Sequence, residues 1–182
     1  AIDNGNGGKI VAWSDITDPN SKTITRGTFL ARGGANGGNG GNIETSGSSI
    51  DFEGIQIDTK APKGNLGLWL IDPYNYTIGS SQATSIGSAL ASSNVEITTS
   101  SNVSAYGSSG SNSDTGNITI NSDITGTLGS LTLTAAGTIY LNANISTAGS
   151  QTFNSNVIVS ASSAQLNSTN NSSAGGDIIF AG

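Results

Sequence analysis

Few side chains in this sequence could do chemistry, and the gaps among them decide which chemistry is open. The 182-residue chain has no histidine and no cysteine. No imidazole base or thiolate nucleophile is therefore available, and none of the serines lies in a GxSxG turn, so Ser-His-Asp and Cys-His machinery cannot be assembled. Carboxylates remain. Asp51 and Glu53 alternate with apolar residues in the run IDFEGIQI and could share a solvent face; Glu44 and Asp51 could meet across neighbouring strands. Two carboxylates at a fixed separation are what cleavage of a glycosidic bond requires. The plainer role of such groups is to keep a β-rich surface soluble, and we assign no catalytic residue.

Residues 33–41, GGANGGNGG, contain six glycines and two asparagines. Such a stretch offers almost nothing to bury and loses much entropy on ordering, so it reads as a tight corner between strand-like runs. A Gly-rich calcium repeat would need aspartates where asparagines stand. A phosphate loop would need a lysine, a Ser/Thr and a following helix, none of which is present. No metal or cofactor is expected.

Trp13, Trp69, Tyr74, Tyr76, Tyr106 and Tyr140 are the residues able to stack on sugars. Both tryptophans sit in apolar runs, which points to core or flank packing. Tyr140 alternates outward between Ile139 and Leu141 and is the surface-binding candidate. Outward threonines such as Thr119, Thr132 and Thr134 are too irregularly spaced for a flat ice-binding row. Sequons at Asn75, Asn102, Asn117, Asn144, Asn167, Asn170 and Asn171 are mostly what a chain rich in Asn, Ser and Thr produces by chance.

A formal net charge of −6 argues against a nucleic-acid surface, which needs clustered Lys and Arg. No apolar run approaches the roughly 20 residues that span a bilayer. Without cysteine, neither a disulfide framework nor a thiolate metal site can form. The chain begins with Ala1 and has no methionine, so we read it as a fragment or processed product.

The elements that must position these groups are short. Ile43-Glu44-Thr45, Ile50-Asp51-Phe52, Ile55-Gln56-Ile57, Val95-Glu96-Ile97, Val103-Ser104-Ala105, Ile118-Thr119-Ile120, Leu131-Thr132-Leu133 and Ile139-Tyr140-Leu141 share one device, apolar inward and polar outward. Strands this short cannot stand alone, so stacking on neighbouring coils is expected. Taking Ile43, Leu68, Val95, Ile118, Ile139, Val157 and Ile178 as equivalent gives intervals of 25, 27, 23, 21, 18 and 21 residues. Coils of about 20 residues suit a parallel β-solenoid. A β-sandwich is the rival, disfavoured because no Asn-Gly hairpin dipeptide follows Gly40.

Two stretches depart from this pattern. Residues 66–72, LGLWLID, are too apolar to leave one face wet and should be covered. Residues 81–92 offer the cover: Ala83, Ile86, Ala89 and Leu90 fall at helical spacing, with Ser80 or Ser81 as N-cap, and residues 73–77 would link the strand to this helix on the solenoid flank. The reading is thus an all-β single segment over 1–182. It comprises a glycine-rich module over 1–78, a short helix and loop within 79–94, and further coils over 95–182.

The motifs GGKIVAWSD, GTFLARGG, NGGNGGNIETSG and IDFEGIQIDTKAPKGNLGLWLIDPYNYTI, within residues 7–78, resemble a module of filamentous-haemagglutinin-like exoproteins of bacterial two-partner secretion. The downstream runs SIGSALASSNVEITTS, GNITINSDI, LTLTAAGTIYLNANIST and QTFNSNVIVSA are similar to the segment that usually lies C-terminal to that module. The resemblance implies a right-handed parallel β-helix, exported through an outer-membrane partner that engages a region not recognisable in this chain. It further implies display on the cell surface as part of an adhesin or biofilm-matrix fibre, with the rest of a longer β-helical chain as neighbour. The function expected is attachment to host cells, other bacteria or matrix glycans; a passive spacer is the alternative, and a polysaccharide-acting β-helix enzyme a third reading. No catalytic, cofactor or metal residue carries over, because the shared motif consists of glycines, turn residues and apolar core positions.

Overall fold

A computed structural model describes residues 1–99, 115–169 and 175–182. The triplet at 103–105, Tyr106 and the sequons at Asn102, Asn170 and Asn171 lie outside the described residues. Every strand pairing among the described residues is parallel, so no hairpin-built sandwich is present.

The chain makes repeated passes, each adding a strand to successive faces. The first pass contributes β1 (Lys9–Trp13), β2 (Lys22–Ile24) and β3 (Thr28–Leu30); the second, β4 (Asn42–Gly47), β5 (Ser49–Asp51) and β6 (Gln56–Asp58). The third has β7 (Leu68–Pro73), β8 (Tyr76–Ile78) and the helix α1 (Ser80–Ala89). The fourth has β9 (Asn94–Thr98), β10 (Ile118–Ile120) and β11 (Ile124–Thr125); the fifth, β12 (Leu131–Thr134), β13 (Ile139–Leu141) and β14 (Ile145–Ser146). The sixth has β15 (Gln151–Phe153), β16 (Val157–Val159) and β17 (Leu166–Asn167), and β18 (Ile178–Phe180) begins another. The first face is one sheet in the order β1-β4-β7-β9-β12-β15-β18. The second carries the pair β2-β5 and the sheet β8-β10-β13-β16; the third carries β3-β6 and β11-β14-β17.

This topology corrects the spacing read from sequence. Ile118, Ile139 and Val157 belong to the second face, not the first, and Leu68 sits one residue out of register. The residues in register on the first face are Ile10, Ile43, Trp69, Val95, Leu131, Gln151 and Ile178. They are separated by 33, 26, 26, 36, 20 and 27 residues. A pass is thus longer than about 20 residues except between β12 and β15. Alternating triplets look alike on every face, so sequence alone mixed two sheets into one series.

The helix is also placed differently. Instead of covering β7 from outside, α1 occupies the third face of its pass and packs against β6 and β11. Ala83, Ser85, Ile86 and Ala89 are its buried residues, and its N-cap is Gly79, with no side-chain cap bond, rather than Ser80 or Ser81. Gly87 is needed there, because a methyl group at that position would press on the Thr125 carbonyl oxygen. β7 has no cover: Trp69, Ile71 and Pro73 point inward, while Leu68, Leu70 and Asp72 stay partly exposed. Residues 76–78, read from sequence as part of a link, form β8.

The core is a continuous inward stack. Phe52 meets Trp69 edge-on at 4.9 Å and Tyr76 at 5.8 Å, and the Trp69 indole N–H donates to Thr45 Oγ1 at 3.1 Å. Burying an aromatic pair in this way contributes about 0.5–1.5 kcal/mol beyond the apolar area removed from water. Between passes, side-chain oxygens take up backbone N–H groups. Asn6 Oδ1 accepts from Asn39, Asn39 Oδ1 from Asn65, Asn75 Oδ1 from Asn117 and Asn117 Oδ1 from Thr138. Asp123 Oδ1 accepts from Asn144, and Asn144 Oδ1 from Gln165. The glycine stretch at 33–41 is part of this stack. Gly41 lies so close under Gly8, and Gly40 under Gly67 and Thr59, that a Cβ at either would overlap backbone atoms. It is a corner, as expected, but a closely packed one.

Candidate functional site

Alternation along the first sheet sends Val11, Glu44, Leu70, Glu96, Thr132 and Thr152 outward in one row, and Trp13, Ser46 and Asp72 in the next. Successive passes stand about 4.8 Å apart, so Trp13 and Asp72 flank Ser46 across roughly 10 Å. Together with Lys9, Ser14 and Ile16 they line a groove of about 310 Å³. Trp13 is 65% exposed, which corrects the expectation that it packs in the core or flank; Trp69, by contrast, is fully buried. The reason is parity: Trp13 is an odd-position residue of β1, whereas Trp69 shares the inward register of Ile10 and Ile43.

The groove concentrates carboxylates. Glu44 pairs with Lys9 at 3.4 Å and accepts from the Ser46 hydroxyl at 3.1 Å. Glu96 accepts from the Thr98 hydroxyl at 3.4 Å. Asp72 is pushed up to about 6, first by burial and then by the negative charges of Glu44 and Glu96. An exposed indole face beside hydroxyls and carboxylates offers stacking to an apolar ring face and hydrogen bonds to ring substituents.

The carboxylate pairs suggested by sequence do not form. Asp51 ends β5 and Glu53 follows in a turn, so they do not share a strand. Asp51 is bound at 2.8 Å by Arg26 and at 3.6 Å by Lys22. The Arg26 hydrogen bond, above all, holds it down to about 2, fully ionised and engaged. Glu44 lies on the first face with Lys9, and Asp51 on the second, so each is paired separately.

Tyr140 is half-buried and outward on β13, in register between Thr119 and Ile158. It is on the second face and is not brought to the groove of Trp13. Tyr74 and Tyr76 are buried. Thr119 lies on the second face whereas Thr132 and Thr134 lie on the first, so the three do not align. Among the described residues, no group of three or more His, Cys, Asp or Glu side chains is arranged to hold a metal ion.

Sequence reasoning missed Asp72 and misplaced Trp13. The available signal was the parity of KIVAW against LWLID, in which Trp13 and Asp72 fall on the same side once Ile10 is set against Trp69. The chain matches no protein-family model, no curated protein and no solved structure.

Proposed function

We propose that this chain is an adhesive and structural segment of a large secreted bacterial surface fibre, contacting uncharged glycans through the groove of Trp13, Glu44 and Asp72. The observation that carries the reading is the solvent-exposed indole of Trp13 beside hydroxyl and carboxylate groups on a regular sheet face. Excess negative charge there disfavours sulfated or sialylated sugars and favours neutral ones. The motifs within residues 7–78 supply the link to two-partner secretion, and they stand on sequence alone. In this reading the coil is right-handed, in line with the general preference for right-handed crossovers between parallel strands. Its neighbours are the rest of a longer chain, its exporter an outer-membrane transporter acting on another region, and its location the outer surface of the cell. Among the described residues no helix is long and apolar enough to cross a membrane.

A glycan array and a cell-binding assay on wild type, Trp13→Ala, Asp72→Asn and Tyr140→Ala test this. Saturable binding lost in Trp13→Ala and kept in Tyr140→Ala supports the groove. Loss only in Tyr140→Ala moves the site to the second face. No binding by the wild type leaves the passive spacer as the function. Release of reducing sugar that disappears in Asp72→Asn replaces adhesion with hydrolysis.

A further inference from the structure

The two ends of the coil stack differ from its middle in one respect: their sheets stop with open edges. At one end β1, β2 and β3 each pair on a single side; at the other, β18, β16 and β17 do. The terminal pass leaves its inward side chains uncovered. Phe180 stacks on Phe153 at 4.9 Å, yet Phe180 is 58% exposed where Phe153 is 1%. Ile178 is inward and 39% exposed, although its register-mates Trp69 and Val95 are buried. A groove of about 570 Å³ opens there beside Val157, Val159 and Phe180. Open strand edges over an uncovered apolar layer are templates for further parallel pairing, and solenoids need a polar cap to avoid it.

The opposite edge complements this one position by position. The first-sheet register that links Lys9, Asn42, Leu68 and Asn94 continues through the residues preceding Leu131, Gln151 and Ile178, and ends at Asp177. A second chain translated by one rung beyond β18 therefore sets its Lys9 beside Asp177. It sets Ile10 on Ile178 and Ala12 over Phe180 inside, and Val11 beside Ile179 outside. Lys9 is well exposed and paired only on its other side, with Glu44. Opposite charges directly across neighbouring strands stabilise a pairing, and like charges oppose it.

We propose that copies of this chain stack head to tail, the β18 edge of one pairing in parallel with the β1 edge of the next, with Asp177 against Lys9 setting the register. The contact is heterologous, so it does not close on itself and yields a series of oligomers instead of a single dimer. It is independent of glycan binding, since it uses the ends of the stack.

Sedimentation velocity of the 182-residue chain over a wide concentration range tests this, with circular dichroism confirming that each variant is folded. The wild type is expected to give a ladder of dimer, trimer and longer species. Asp177→Lys alone and Lys9→Glu alone are each expected to weaken association about tenfold at low salt, and the double variant Lys9→Glu/Asp177→Lys to recover it. Phe180→Ser, at the extreme end of the stack, is expected to weaken it in the same way. A monomer at every concentration overturns the proposal. So does a dimer that never grows, which would mean edges meeting in a closed arrangement. Association untouched by the single charge reversals also overturns it, because another surface would then be responsible.

Discussion

The backbone N–H of Asn39 donates to Oδ1 of Asn6 at 2.8 Å, and Oδ1 of Asn39 in turn accepts the N–H of Asn65 at 3.0 Å. One side chain thus holds three passes of the chain in register at a corner where glycines leave no side chains to do so. Replacing Asn39 with Ala removes the acceptor and strands the Asn65 N–H, at a cost of about 1 kcal/mol. Gly41→Val meets the Gly8 carbonyl and the Gly7 backbone, which cannot move without opening the stack, and should cost about 3 kcal/mol. Urea denaturation of both variants measures the difference; equal, negligible losses would show that the corner is not close-packed.

The two tryptophans report on opposite sides of one sheet. Acrylamide should quench Trp13 readily and Trp69 hardly at all, given 65% against 0% exposure. Trp13→Phe is then expected to remove the quenchable emission with little loss of stability. Trp69→Ala should destabilise by about 3–5 kcal/mol, since it leaves a cavity against Phe52 and removes the bond to Thr45.

Gly87 sets two effects against each other. In an isolated helix Gly→Ala gains about 1 kcal/mol. Here the added methyl would lie 2.5 Å from the carbonyl oxygen of Thr125, a backbone atom fixed by β11. Packing is expected to win, so Gly87→Ala lowers the urea midpoint. A raised midpoint would show that α1 is free to move off β11.

Two aspartates give the stability curve opposite slopes. The folded value of Asp72 is raised from 3.8 to about 6, so its contribution is fully present below 3.8 and is lost as pH rises through about 6. The folded value of Asp51 is lowered from 3.8 to about 2, so its contribution is present above 3.8 and is lost as pH falls through about 2. Between them they place their joint optimum near pH 4. Asp72→Asn should abolish the decline between about pH 4 and 6 and leave the acid limb, while Asp51→Asn should do the reverse. Urea midpoints across that range check both, and a decline that survives in Asp72→Asn would assign it to another group.

Much of the fold was legible as local pattern. Triplets such as Val95-Glu96-Ile97 and Leu131-Thr132-Leu133 are strands in the structure, and helical spacing at Ala83, Ile86 and Ala89 located α1 within a residue or so of its start. The two-residue strands β11, β14 and β17 were invisible, because two residues carry no period. β15 was masked for a different reason. Gln151 sits at an inward position, satisfied by the Ile145 carbonyl at 3.3 Å, Thr147 Oγ1 at 3.1 Å and the Asn167 carbonyl at 2.8 Å, so an amide stands where an apolar residue was expected.

By itself the sequence determined the chemistry that is out of reach, through the lack of histidine and cysteine, and it determined strand parity, because alternation is a property of the backbone. Only the tertiary structure decided which strands stack, and hence what meets what. Thr45 and Trp69 are 24 residues apart and in hydrogen-bond contact; Asp51 and Glu53 are two apart and on different elements. Register between passes depends on loop lengths that vary from pass to pass, and no local pattern encodes them. The groove of Trp13 and Asp72, assembled from separate passes, is therefore a product of stacking.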